Sequence, residues 1–240
     1  MAKLSASGPA DLEARQAGWR NLIEFVDRHA DSRWVFRGVG SATKHLLLPK
    51  IGRPELGKYS APKERVIFRS FKRRAAQHVG RAVMSDWEWL ALAQHHGLPT
   101  RLLDWTTNPL IAAYFAVASA PDTHDGKIYA VRIGTVIDTE NGPGDGPFAT
   151  EGVSFLIPPA SVTRIAAQRG LFTVHARPGE AWQPADASEH VVPRPHRSFF
   201  RRKLFYLGIE PGHIMADLDG LCQTLEWQYR NGIAVGPTGY

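Results

Sequence analysis

The sequence predicts an α+β protein: one mixed domain of short strands with several flanking helices. Three observations carry that reading. Helix-like segments, with apolar residues three and four apart, are interspersed with short apolar-rich runs suited to strands. The two kinds of segment do not alternate in the strict order that builds a parallel sheet. No repeat and no shift in composition divides the 240 residues, so one domain is expected over 11–230, with tails at 1–10 and 231–240.

The composition, 43% hydrophobic and 22% charged, is that of a globular chain long enough to bury a core without staples. Cys222 is the single cysteine, which excludes an internal disulfide and a cysteine metal cluster and suits a reducing compartment. MAKLSASGPADLEARQ has no apolar leader, and no run approaches the roughly 18 apolar residues of a membrane span. A cytoplasmic protein with no membrane partner is the expectation. The net charge of +6 and pI near 9.6 favour an anionic partner: a phosphate-bearing ligand or nucleic acid.

Asp11 to Ala30 has helical spacing, with Leu12, Trp19, Leu22, Ile23 and Val26 near one stripe. Arg33 to Gly38 reads as a strand in which Trp34 and Phe36 alternate against Val35 and Arg37. A Gly/Pro-rich loop fills 51–63. Glu64 to Met84 predicts a helix that buries Phe68, Phe71, Ala75 and Val79 and leaves Arg65, Arg69, Lys72, Arg73 and Arg74 elsewhere on its surface. Ser85 and Glu88 have the spacing of a capping box, so a second helix starts near Asp86; Gly97 and Pro99 stop it. Thr100 to Trp105 is short and apolar enough for a strand. Asn108-Pro109 reads as N-cap and first residue of a buried helix that ends before Pro121. Strands are expected from Lys127 and over RKLFYLGI, Arg202 to Ile209. SFLIPP, RIAAQ and LFTVH are further short elements. Residues 176–198, rich in Pro, Arg and His, are expected to be an exposed excursion, and Asp217 to Tyr229 a final helix.

One segment stands out, WLALAQHHGLPTRLLDWTTNPLIAAYFA, Trp89 to Ala116. It crowds His95, His96, Arg101, Asp104, Thr106, Thr107 and Asn108 among residues that otherwise read as core. Buried polar groups cost roughly 1–3 kcal/mol each when unpaired, so this is a polar network or a site.

Together with VFRG (Phe36-Arg37-Gly38) and DLDGL (Asp217 to Leu221), this segment resembles the FRG domain family, over roughly 30–225. The family's third motif usually opens Phe-Pro-Asp; here it reads Met215-Ala216-Asp217. The family's motif order is similar to that of the ADP-ribosyltransferase fold. That resemblance implies a bacterial protein with a nucleotide or NAD site, and ADP-ribosyl transfer or NAD cleavage in a toxin or phage-defence setting. NAD would enter as substrate. The expected catalytic set is Arg37, His96, Asp104 and Gln168. Arg37, Gly38, Arg101, Trp105, Thr106 and Thr107 are the expected cofactor contacts. A guanidinium can grip phosphate or ribose oxygens with two prongs, and the N-terminus of the Pro109 helix favours an anion. Gly38 would let the ligand approach the backbone. Gln168 stands where that fold usually brings a Glu; Glu151, Glu210 or Glu226 would have to supply a carboxylate from elsewhere.

Other readings of the same residues stay open. Arg37 and Asp104 can form a structural ion pair. Of His95 and His96, about 100° apart on a helix, one caps it and the other faces the site, with His96 favoured for the site. A metal site of Asp104 and His175 matches no helix-borne ligand motif, so no metal is expected. The arginines of the Glu64 helix, with Arg194, Arg197, Arg201, Arg202 and Lys203, offer a track for nucleic acid, the reading of the chain as a non-catalytic basic module for nucleic acid or a protein partner.

Overall fold

Side-chain alternation sorts the strands into two faces. In the computed structural model, residues 8–79, 84–118, 123–139, 146–158 and 167–233 are described. The strands β1 (Trp34–Val39), β2 (Leu102–Thr106), β3 (Gly126–Arg132), β4 (Val153–Leu156), β5 (Gly170–His175) and β6 (Ser188–Val192) form one antiparallel sheet. Their order is β4-β5-β2-β1-β3-β6. Seven α-helices accompany it among the described residues: α1 (Pro9–Arg28), α2 (Ala61–Ala75), α3 (Asp86–His95), α4 (Pro109–Ala118), α5 (Arg197–Tyr206), α6 (Pro211–Met215) and α7 (Leu218–Arg230). The fold is α+β. No helix among the described residues is long and apolar enough to cross a membrane.

The sheet has a seam. β1 and β3 pair at six positions, from Trp34 opposite Arg132 to Val39 opposite Lys127. β2 and β5 pair at five, from Leu102 opposite Val174 to Thr106 opposite Gly170. β1 and β2 stay in register only at Phe36 opposite Thr106. Two three-stranded halves therefore join at one pair and part beyond it.

The helices lie on one face and divide between the halves. Phe36, Ile128, Ala130 and Val192 pack against α1, α4 and α5 through residues such as Leu22, Phe25, Ile111 and Phe200. Leu102, Leu156, Phe172 and Val174 pack against α2 and α3 through Phe68, Trp89 and Leu90. On the other face, Val35, Leu103, Trp105, Tyr129 and Phe155 form a core closed by Leu47, Ile133 and Trp182 from the connecting segments.

α4 presses hardest on the sheet. A Cβ on Gly38 would lie 1.7 Å from the Ala112 carbonyl oxygen, and one on Gly126 would lie 2.3 Å from that of Ala116. Both glycines are there to seat the helix. Asn108 caps it, its Oδ1 accepting from the Leu110 amide at 2.9 Å. The Ser85–Glu88 capping box closes in both directions, and Gly97 takes φ +81°, as the sequence predicts.

Several expectations need correction. RKLFYLGI is mostly helix: α5 buries Phe200 and Leu204, one turn apart, against α1 and α4. The stretch 176–198 contains an edge strand, β6, the partly buried Trp182 packed against the core, and the buried Arg197, which donates to the carbonyls of Gly40 and His124. The Glu64 helix starts earlier, at Ala61, and ends at Ala75. α1 begins inside the expected tail, at Pro9; residues 1–7 of that tail lie outside the described residues, as do most of RIAAQ and residues 234–240.

Candidate functional site

The seam opens under a gap between helices. A cleft of about 280 Å³ lies there, with Arg37 and Gly38 from β1 and Asp104, Trp105 and Thr106 from β2. α3 supplies Gln94 and His95, α4 supplies Phe115, and the approach to β5 supplies Gln168, Gly170 and Phe172. Phe36 sits at the one pair that holds β1 to β2.

Arg37 bridges the strands where their ladder has stopped. Its Nη1 donates to the Asp104 carbonyl at 2.6 Å and lies 3.5 Å from the Asp104 carboxylate. The Arg37 side chain is 12% exposed and that of Asp104 is 56% exposed, so a mostly buried cation meets a carboxylate open to the cleft. Burial lowers the guanidinium pKa from its ordinary value, and the Asp104 charge opposes that shift. Arg37 Nε is buried with no hydrogen-bond partner, a cost of roughly 1–3 kcal/mol for a polar group.

Asp104 is held from its other side by a residue the sequence reading passed over. Gln94 Nε2 donates to both carboxylate oxygens, at 3.1 and 3.0 Å, and its Oε1 accepts from the Thr100 hydroxyl at 2.6 Å. The signal was available: Gln94 stands one residue before His95, in the last turn of the capped helix that ends at the site. Phe115 and Phe172, also passed over, add aromatic wall.

The remaining expected site residues fall into different places. His96 is the exposed C-cap of α3, and His95 is the histidine that lines the cleft, the reverse of the expectation. Arg101 lies away from it. It is 3% exposed, paired with Glu64 through Nη2 at 2.6 Å and Nε at 3.0 Å, bonded to Tyr59 and stacked over Phe148. Burial and the Glu64 carboxylate raise the Tyr59 phenol to about 12. Thr107 is exposed and outside the cleft, its amide donating to the Arg169 carbonyl. Trp105 borders the cleft, but its ring belongs to the opposite core, where the indole N–H donates to Thr173 at 2.9 Å. Thr106 lines the wall while its hydroxyl donates to the Gln168 carbonyl and accepts from the Asn108 amide. Gln168 lines it too, with its side-chain amide donating to the Ile214 carbonyl at 3.3 Å. Gly38 lines the cleft, and the space a Cβ there would fill holds the backbone of α4.

Glu151 is exposed, Glu226 pairs with Arg230, and Glu210 stands at the start of α6. None of them lines the cleft; among the described residues Asp104 is its one carboxylate. No group of three or more His, Cys, Asp or Glu side chains gathers for a metal among the described residues.

Residues 32–125 match the FRG domain family. This chain carries an FRG domain. The matched span of the FRG domain runs from the start of β1 to the start of β3, and it holds Arg37, Gln94, His95, Asp104, Thr106 and Phe115. The wall from Gln168 to Phe172 and the DLDGL motif lie beyond it. No curated protein and no solved structure matches the chain.

Proposed function

We propose that the cleft of this FRG domain binds a nucleotide, NAD first among them, and cleaves or transfers at the nicotinamide–ribose bond. The observation that carries the reading is the line Arg37–Asp104–Gln94 in an aromatic-walled cleft. A guanidinium that lines the cleft suits a ligand oxygen that bears negative charge. Phe36, Phe115 and Phe172 suit a flat heteroaromatic ring. The volume is near the low end of ligand sites, roughly 300–1,000 Å³, and accommodates one half of a dinucleotide.

In this reading Asp104 does what a Glu on the third strand does in the ADP-ribosyltransferase fold. The C1′–N bond breaks and its electron pair leaves with nicotinamide. The carboxylate, held by Gln94, stabilises the positive charge on the ribose. Water or an acceptor nucleophile bonds C1′, and its proton passes to Asp104 or His95. A bacterial toxin or phage-defence effector is the setting such an activity suits.

Calorimetry with NAD and an assay of NAD consumption test this together. Arg37→Ala is expected to weaken binding by tenfold or more. Asp104→Asn is expected to keep binding and lose turnover by about a hundredfold. A wild-type protein that neither binds nor consumes NAD overturns the reading.

A second reading, a basic module for nucleic acid, draws on Arg65, Arg69, Arg73 and Arg74, exposed on α2. Of the longer track, Arg197 is buried and Arg201 stacks on Trp227, while Arg194, Arg202 and Lys203 are exposed. If α2 binds nucleic acid, affinity falls steeply with salt and reversing Arg69, Arg73 and Arg74 abolishes it.

A further inference from the structure

The ion pair at the seam stands open. Arg37 Nη1 is tethered to the main-chain carbonyl of Asp104 at 2.6 Å, yet the carboxylate of the same residue stays 3.5 Å away. That is roughly 0.6–0.8 Å beyond the usual length of a charge-assisted hydrogen bond. The gap is within the swing of the Asp104 side chain and needs no movement of either strand. The Arg37 side chain is mostly buried, and attraction between opposite charges strengthens away from water. An open pair in such a place needs a force that draws the carboxylate the other way.

That force comes from α3, and its polarity is fixed. Gln94 Nε2 donates to both Asp104 oxygens. A carboxamide can turn over and present its oxygen instead, which would set acceptor against acceptor at Asp104. Thr100 decides between the two orientations, because its hydroxyl donates to Gln94 Oε1 at 2.6 Å. A hydroxyl is ambivalent as well, but Thr100 Oγ1 already accepts from the Leu102 amide at 3.1 Å, and the residue is 1% exposed. With the Gln94 amide turned over, Thr100 Oγ1 would accept twice, and its hydrogen would lose its acceptor in the interior. The line therefore runs one way, from the Leu102 backbone amide through Thr100 and Gln94 to the carboxylate. The turn between Gln94 and Thr100 is pinned too. The Gly97 amide donates to the Gln94 carbonyl at 2.9 Å, Lys50 Nζ to the Gly97 carbonyl at 2.8 Å, and the Ile51 amide to the Thr100 carbonyl at 3.3 Å.

We propose that Thr100, acting through Gln94, is a positioning residue that holds the Asp104 carboxylate off Arg37, so that cation and anion face the cleft as separate groups. A closed pair satisfies itself, whereas an open one leaves a guanidinium for an anionic ligand oxygen and a carboxylate for the sugar beside it. In that purpose the proposal rests on the nucleotide reading of the cleft; the catch itself does not. Crystal structures of variants without ligand test the catch. In Thr100→Val, which keeps the shape and removes the hydroxyl, the distance from Arg37 Nη1 to the Asp104 carboxylate is expected to fall from 3.5 Å to about 2.8 Å. Gln94→Leu, at a half-buried helix position, is expected to close the pair as well, and it carries the test if Thr100→Val does not fold. Thr100→Ser restores the donor and is expected to keep the wild-type distance. A pair that stays open in Gln94→Leu or Thr100→Val overturns the proposal, as does one that closes in Thr100→Ser. Calorimetry with NAD tests the purpose: affinity is expected to fall about tenfold in Thr100→Val and Gln94→Leu and to hold in Thr100→Ser. Full NAD affinity in a variant whose pair has closed overturns the proposal. A wild type that does not bind NAD removes the nucleotide reading alone, and the ligand-free distances still decide whether Thr100 holds the pair open.

Discussion

Two arginines of the signature segments take opposite roles, and burial of their partners decides which. Arg101 and Glu64 are 3% exposed each, and their ion pair is closed by Tyr59 and Phe148. Removing one partner strands the other charge in the interior. Glu64→Ala is expected to cost about 3–5 kcal/mol of stability in urea unfolding. Asp104 also faces an arginine, but its carboxylate is more than half exposed. Asp104→Asn is expected to change stability by less than about 1 kcal/mol in the same measurement, whatever it does to ligand. From sequence alone the two arginines looked alike, since spacing says nothing about which carboxylate arrives from a distant helix.

His175 is a third residue whose burial has a measurable consequence. It is 2% exposed, with Nε2 placed 2.9 Å from the Thr173 hydroxyl, and Thr173 already accepts from Trp105. Burial first, then the positive charges of Arg37 and Arg101, lower its pKa from 6.5 to about 4. The folded protein therefore holds the neutral ring, and the unfolded chain takes up the proton first as pH falls. Its contribution is complete above pH 6.5 and disappears as the pH drops towards 4. At about 1.4 kcal/mol per pKa unit the loss is about 3 kcal/mol. Urea midpoints at neutral and acid pH check this; His175→Gln is expected to flatten the difference.

At the scale of elements, local chemistry was legible wherever the signal is local. The Ser85–Glu88 box, the stop at Gly97 and the Asn108-Pro109 start all use groups within a few residues of one another. Gly38 shows the limit. Its presence after a strand suggested a close approach, and the structure has one, but the approaching backbone is that of α4. Gly38→Ala is expected to push α4 from β1 and cost about 1–3 kcal/mol or more, read as a lower thermal midpoint, and to displace Phe115 from the cleft wall. α5 was misread because RKLFYLGI begins inside it; the pair that marks its buried face, Phe200 and Leu204, straddles that window. β6 was missed because SEHVV is a largely exposed edge strand before Pro193, where the pattern is weak.

At the scale of the whole molecule, the cleft exists because the sheet is held together at its middle by one pair and because the helices above it divide. α3 and α4 stand on either side of the seam, so Gln94 and Phe115, twenty-one residues apart in sequence, face each other across it. A ligand there touches both halves. NAD at about 100 times its dissociation constant is expected to stabilise the protein by about 2.7 kcal/mol, seen as a rise in thermal midpoint that Arg37→Ala removes.

The amino-acid sequence by itself determined the α+β class, the capped helices, the strand carrying Arg37, and the likeness of residues 32–125 to the FRG domain family. Those features follow from periodicity and from groups that interact at short range. The tertiary structure alone decided that His95 and not His96 reaches the cleft, that Arg101 belongs to Glu64, that Gln94 holds Asp104, and that α7 shows its leucines to solvent. Each depends on a helix rotation or on a partner far along the chain, and a rotation of about 100° per residue leaves adjacent histidines no common face.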